Sequence, residues 1–208
     1  LDSIAVVSFL GAAIVLTLMP GPDNLFVLAQ SIAKGKQAGI ATALGLCTGL
    51  LGHISAAVIG LSAVIYQSAF AFTIVKYAGA AYLLFLAYKA FRAKETGFGS
   101  LSADPLDYRA LYKKGVIMNL LNPKVSLFFL AFLPQFIHYE AGPVAGQMLV
   151  FGLIFLLQAL ILFSLISVFA GKIGTFLRKS PALARKINLI EGSLFAFIGL
   201  RIAFSEHK

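Results

Sequence analysis

Apolar residues dominate the chain in long runs, and short polar connections separate the runs. Each run approaches the ~20 residues that a helix needs to cross a ~30 Å hydrocarbon core. The pattern predicts helices over 3–30, 38–66, 69–92, 114–138, 143–170 and 186–205. The expected fold class is therefore an all-α integral membrane protein with six transmembrane helices in a single domain, 1–208. The longest connection, 93–113, contains Gly97, Gly99, Ser100, Ser102 and Pro105, and it divides the chain into 1–92 and 114–205. Each part holds three helices. Three is odd, so the parts run in opposite senses, as in an inverted repeat.

Two of the runs are interrupted. The first contains Met19, Pro20, Gly21, Pro22, Asp23 and Asn24, and the fourth contains Asn119, Leu120, Leu121, Asn122, Pro123 and Lys124. Proline lacks the backbone N–H and clashes with the carbonyl four residues back, so Pro20 and Pro22 strip partners from Leu16 and Leu18. Irregular backbone at membrane depth survives only where it is buried in protein or lines a wet cavity. A half-helix is expected to start at Pro22, with free N–H groups at Asp23, Asn24 and Leu25 that suit a substrate carboxylate. The freed carbonyls suit an ammonium. In the fourth run Asn122 is placed to cap a half-helix starting at Pro123, leaving Asn119 with a free carbonyl and a polar side chain.

Setting Pro22 against Pro123 puts Asp23 opposite Lys124 and Gly21 opposite Asn122. Asp23 and Lys124 together supply both signs that a zwitterion needs, and they are able to neutralise each other when the site is empty. An acid inside a membrane span is a functional hypothesis by default. Asp23 has a plainer reading as a helix-start carboxyl that steadies a kink, and Lys124 as a lysine snorkelling to the cytoplasmic side. Both breaks lie about eight or nine residues from the cytoplasmic end of their runs, whereas a strict inverted repeat would mirror them about the midplane.

Composition excludes a separate soluble domain: 60% of the 208 residues are hydrophobic and 12% charged, with a mean hydropathy of +0.92. Soluble domains carry about 25% charged residues. The net charge of +9 raises nucleic-acid binding as a first thought, but its distribution argues against that. Lys and Arg number 2, 0, 6, 0 and 5 in the five successive connections. That alternation is the positive-inside pattern, with odd connections cytoplasmic and both termini outside. Arg201 and Lys208 oppose it weakly, and Arg201 can snorkel to the outer interface. The first run is too long for a signal peptide and is read as a retained helix. The chain opens on Leu1 rather than Met, which leaves room for a few preceding residues. The lone Cys47 forms no internal disulfide and reads as a small buried residue.

In the second helix Thr42, Gly45, Gly49 and His53 share one face, beside a small face of Gly52, Ala56 and Gly60. Glycines at this spacing are expected to let helices approach closely. His53, near mid-span, is open to two readings, a titrating group in the transport cycle or a hydrogen-bonded structural histidine. Gln158 is a weaker candidate of the same kind. Glu191, in the first turn of the last helix, suits the helix dipole there. Lys76 is expected to snorkel at the outer end of the third helix, whose Tyr77, Tyr82 and Tyr88 read as interfacial or packing aromatics.

The quoted residues place the chain beside a known family. It resembles the LysE/RhtB amino-acid exporters in MPGPDN at 19–24, GIATALGLCTGLLGH at 39–53, KYAGAAYLLFLAYKAFR at 76–92 and NLLNPKVSLFFLAFLPQF at 119–136, and more loosely in GLRIA at 199–203. The resemblance implies a secondary exporter of amino acids or close derivatives in the bacterial inner membrane, driven by the proton or another ion gradient. Pro20, Gly21, Pro22, Asp23, Asn122, Pro123 and Lys124 carry the family pattern, and with Asn24 and Asn119 they are the candidate substrate contacts; Asp23, His53 and Glu191 are the proton-coupling candidates. Glu191 stands where the family pattern suggests a neutral residue. The expected partners are the amino acid, the coupling ion and the lipid bilayer, with no cofactor, no metal and no nucleic acid. The small faces also make a homodimer conceivable.

Two other classes compete. A metal or small-ion permease would draw on Asp23, His53 and Cys47, yet paired-carboxylate and Cys-x-x-Cys spacings are absent. Cys47 and His53 also point apart on their helix. An intramembrane enzyme lacks any Gly-x-Ser-x-Gly, His-Glu-x-x-His or paired-aspartate motif.

Overall fold

The computed structural model describes residues 2–19, 21–61, 69–92 and 106–179, and beyond them 189, 192, 193, 195–197, 199, 200 and 202–204. All regular structure among these residues is helical. Helix α1 (Ser3–Leu18) starts where the Asp2 side chain accepts the Ile4 N–H at 3.2 Å. It gives way to α2 (Pro22–Lys34), which carries proline at its first turn and is turned by 56° from α1. Gly35, at φ +88°, makes the tight connection into α3 (Lys36–Ala56), a backbone angle that side chains with a Cβ rarely adopt. A wide π turn, Ala57–Leu61, extends α3.

Helix α4 (Ala69–Arg92) matches the expected third span. Helix α5 (Tyr108–Leu120) starts at Tyr108 rather than 114, because the Asp107 side chain caps it by accepting the N–H groups of Arg109 at 2.8 Å and Ala110 at 3.1 Å. A 45° bend leads into α6 (Pro123–Leu127), which continues through a π turn at Phe128–Phe132 and a 3-10 turn at Leu133–Phe136. Helix α7 (Val144–Lys179) runs well past the expected end at 170. The described residues between 192 and 204 are helical and fall inside the last expected span.

Helices α3 and α7 are long and apolar enough to cross a membrane, and each bent pair, α1–α2 and α5–α6, qualifies when counted as one span. Helix α3 is central: it packs most extensively on α5, then on α7 and α2, while α1 and α2 also lie against α7. The α3–α5 seam is a backbone contact made possible by glycine. A Cβ on Gly45 would enter the Tyr112 carbonyl, one on Gly115 would lie 2.6 Å from the Thr42 carbonyl oxygen, and one on Gly49 would lie 2.7 Å from that of Val116. The close approach expected of the glycines occurs on the face of Gly45 and Gly49, whereas the neighbouring small face of Gly52, Ala56 and Gly60 is exposed: a Cβ on Gly52 would meet only the Leu120 side chain and one on Gly60 nothing within 4 Å. Beside this seam, phenylalanines from α1, α6 and α7 interlock, with Phe9 4.7 Å from Phe151 and Phe128 5.0 Å from Phe155, ring centre to ring centre. Edge-on and tilted aromatic pairs of this kind add about 0.5–1.5 kcal/mol each beyond burial.

A candidate substrate site between two broken helices

The two interruptions meet. The carbonyls of Leu16, Thr17 and Met19, at the break after α1, are taken by side chains; of these, Leu16 is the one whose amide donor is lost to a proline, Pro20. The Lys124 ammonium, from the first turn of α6, donates to the carbonyls of Leu16 at 3.1 Å and Met19 at 3.2 Å. The Asn24 amide turns back from α2 and donates to the carbonyls of Thr17 at 2.6 Å and Met19 at 3.0 Å. A buried carbonyl left without a donor costs about 1–3 kcal/mol, so these contacts allow the break to persist in an apolar interior. Gly21 keeps the space clear: a Cβ there would come within 3.2 Å of the Lys124 Nζ.

Lys124 is 8% exposed, which overturns its reading as a snorkelling lysine. The expected cap on α6 is present: the Asn122 side-chain oxygen accepts the Lys124 N–H at 3.0 Å. Asn122→Ala is expected to lower stability by ~1 kcal/mol, read as a lower melting temperature of the purified protein in detergent, with Asn122→Ser retaining most of it.

Two expectations need correction. The Leu25 N–H is not free, because it donates to the Gly21 carbonyl at 3.0 Å and closes the first turn of α2. The Asn119 carbonyl is not free either. It accepts the Asn122 N–H at 2.9 Å and lies 2.9 Å from His53 Nε2. The chain turns so tightly at Leu121 that the Asn122 amide folds back onto Asn119.

The Asn119 side-chain amide donates to Asp23 Oδ2 at 3.1 Å. A chain of contacts thus runs from His53 on α3 through Asn119 on α5 to Asp23 on α2. The His53 ring also stacks on Phe129, with centres 6.4 Å apart. Asp23 is 3% exposed and Asn119 is buried to the same degree. Among the described residues, Asp23 Oδ1, Asn119 Oδ1 and Asn122 Nδ2 are buried without a hydrogen-bond partner. Buried polar atoms in native proteins are nearly always satisfied, so orphans clustered at one place mark where a ligand or water binds.

These groups surround a cavity of ≈ 20 Å³. Thr17, Asp23, Asn24, Asn119 and Lys124 form its polar wall, and Leu46, Leu50, Val125, Phe155 and Phe163 its apolar one. Cys47 also faces it. The volume suffices for about one water, so a larger guest requires the walls to part.

The family model for LysE type translocators matches residues 14–206. The chain belongs to the LysE type translocator family. The translocator is 31% identical over 200 residues, covering 96% of each chain, to the homoserine/homoserine lactone efflux protein of Salmonella typhimurium. It is 32% identical over 197 residues, 94% of this chain and 95% of the relative, to an uncharacterized membrane protein of Vibrio cholerae. It is also 32% identical over 168 residues, 76% of this chain and 80% of the relative, to the membrane protein YrhP of Bacillus subtilis. No solved structure matches it.

Of the residues that the translocator's sequence singles out, Asp23, Asn24, Asn119 and Lys124 line the cavity, Gly21 lies against the Lys124 side chain, Asn122 caps α6, Pro22 and Pro123 open the two half-helices, and His53 joins through Asn119. Pro20 and Glu191, like the Lys76 side chain, lie outside the described residues. Sequence reasoning missed Thr17, an isolated hydroxyl in an apolar run, and it undervalued Gln158, whose amide donates to the Thr17 hydroxyl at 2.8 Å. A hydroxyl and an amide at mid-span are the signal that they had in common.

Proposed function

We propose that the protein is a secondary exporter that carries amino acids or close derivatives out of the cytoplasm across the bacterial inner membrane. The observation that carries this reading is the meeting of both helix breaks at one cavity, with Asp23, Asn119 and Lys124 in its wall, in a chain of a translocator family. The homoserine/homoserine lactone efflux relatives support cargo derived from amino acids. Six spans form two inverted repeats, 1–92 and 114–205, joined by a cytoplasmic linker at 93–113, with both termini outside. The shared order of a broken helix followed by a straight one, α1–α2–α3 and α5–α6–α7, supports the repeat, and the basic connections support the orientation.

The contacts suggest how a zwitterion binds. Lys124 holds the Leu16 and Met19 carbonyls in place of a substrate ammonium. An arriving carboxylate draws Lys124 to itself, and the substrate's ammonium takes the released carbonyls and the orphaned Asp23 Oδ1. The first turn of α2 adds its positive dipole end. Export is driven by the proton or another ion gradient, with Asp23 and His53, linked through Asn119, as the coupling groups and Glu191 as a further candidate. One charge crossing 100 mV yields ~2.3 kcal/mol. At ~1.4 kcal/mol per tenfold, that sustains an outward gradient of a few tens-fold per charge. The metal or small-ion permease gains no support at this site: among the described residues, no three His, Cys, Asp or Glu side chains gather to hold an ion.

The test is efflux. Cells expressing the protein and vector controls are loaded with amino acids supplied as dipeptides, and release is followed. Release of one amino-acid class above the vector level is expected. No release of any amino acid, from protein verified in the membrane, overturns the reading.

A further inference from the structure

The sole cysteine of the chain stands in the wall of the cavity. Cys47, on α3, lines it with Leu46 and Leu50, and shares it with Asp23, Asn119 and Lys124. Cys47 is 6% exposed and forms no disulfide. The cavity is built to take a polar guest: Asp23 and Asn119, each 3% exposed, both keep an Oδ1 that has no hydrogen-bond partner among the described residues. Whatever enters to meet those oxygens also meets the thiol. While the walls are closed the thiol is out of reach, and buried thiols are inert. It becomes reachable when the walls part, which the passage of any amino acid requires.

The thiol has no room to gain bulk, because the cavity of ≈ 20 Å³ holds about one water. Cys47 lies two residues from both Gly45 and Gly49, and two residues of α-helix turn about 200°, so it faces away from the seam that these glycines form. That seam backs α3 onto the Tyr112 and Val116 carbonyls of α5, so α3 has no space into which to recoil. A group added to the thiol therefore fills the cavity and displaces its polar wall. We propose that Cys47 is an inhibitory modification site, where a small thiol-directed electrophile enters as the cavity opens and stops export. The chemical class is small disulfides and thiosulfonates. The Cys47 thiolate attacks one sulfur of the reagent, a new S–S bond forms and the reagent's own S–S bond breaks. The leaving thiolate or sulfinate takes the electron pair, and the thiol proton passes to water that enters as the walls part. The inference names a regulation of the proposed exporter's cavity and rests on that reading.

The test uses full-length protein in proteoliposomes and methyl methanethiosulfonate, which transfers a methylthio group. Because the chain has one cysteine, intact mass assigns the product. Liposomes loaded with the amino-acid panel are followed for release under imposed ion gradients, before the reagent, after it, and after dithiothreitol. Folded wild type is expected to gain the methylthio group more slowly than protein unfolded in SDS, and to lose release to the level of protein-free liposomes. Dithiothreitol should reverse both changes. The fraction of release lost should match the fraction of chains modified, a relation that needs no variant. Cys47→Ala, compared with its own untreated rate, should be indifferent to the reagent. Folded protein that stays unmodified, modification without loss of release, or an equal loss in Cys47→Ala overturns the site and leaves the exporter reading standing. No release from untreated liposomes overturns the exporter reading, and the inference falls with it.

Discussion

Asp23→Asn is expected to reduce amino-acid release to the vector level while the protein stays in the membrane at its normal amount. The substitution is nearly isosteric. An asparagine oxygen at this place still accepts the Asn119 amide that now reaches Asp23 Oδ2 at 3.1 Å, so the contact between α2 and α5 is retained. What disappears is the acid itself, 3% exposed and with its second oxygen unpartnered among the described residues. Lys124→Met is expected to abolish release too, with a structural cost that Asp23→Asn lacks. It leaves the Leu16 carbonyl without its ammonium donor, at about 1–3 kcal/mol for a buried acceptor, while the Met19 carbonyl keeps the Asn24 amide. The two single variants therefore differ in melting temperature although both lose transport. Efflux and thermal melts of both, with membrane abundance measured by an epitope tag, check this. The combined variant separates mechanism from simple neutralisation. If Asp23 and Lys124 served only to cancel each other, Asp23→Asn/Lys124→Met would recover release. The geometry gives the two side chains separate partners, and the combined variant is expected to stay inactive.

The breaks were legible because proline chemistry is local. The loss of an N–H at Pro22 and Pro123, and the capping oxygen of Asn122, follow from residue identity alone. The packing face of α3 was legible because Gly45 and Gly49 recur at helical spacing, although the same spacing marked Gly52, Ala56 and Gly60, which stay exposed. What the sequence did not disclose is which side chains take the carbonyls released at the end of α1. The pairing of Asp23 with Lys124 is a reasonable reading of opposite charges at matching positions. A lysine so buried nevertheless donates to the partial charges of two carbonyls at the break after α1. Asn24 turns backward onto Thr17 and Met19 instead of standing ready for a substrate, for the same reason. The Thr17–Gln158 contact spans 141 positions and belongs to no motif. Only the packing of α1 on α7 brings the two residues together.

That packing and the site depend on the α3–α5 seam, where the remaining large effect is expected. Gly45→Ala adds one methyl group and should strongly reduce the folded protein recovered from membranes. Its Cβ would enter the Tyr112 carbonyl, so backbone rather than a yielding side chain opposes it, and α3 and α5 must move apart. Overpacking a close-fitted interior costs about 1–3 kcal/mol, and a backbone clash belongs at the upper end. The loss reaches the site because the next glycine along the seam holds it. A Cβ on Gly49 would lie 2.9 Å from the Asn119 Cβ, and Asn119 is the residue that joins His53 to Asp23. Gly49→Ala is therefore expected to lower export beyond what its loss of abundance explains. The control is the same substitution at Gly11, in α1, where an added Cβ meets nothing within 4 Å. There the gain in helix propensity, up to ~1 kcal/mol, should leave the protein as stable as wild type or slightly more so. Detergent melting curves and membrane abundance of the three variants give the comparison. If Gly45→Ala and Gly11→Ala behave alike, the helices do not meet backbone to backbone, and the placement of Asn119 against Asp23 loses its support.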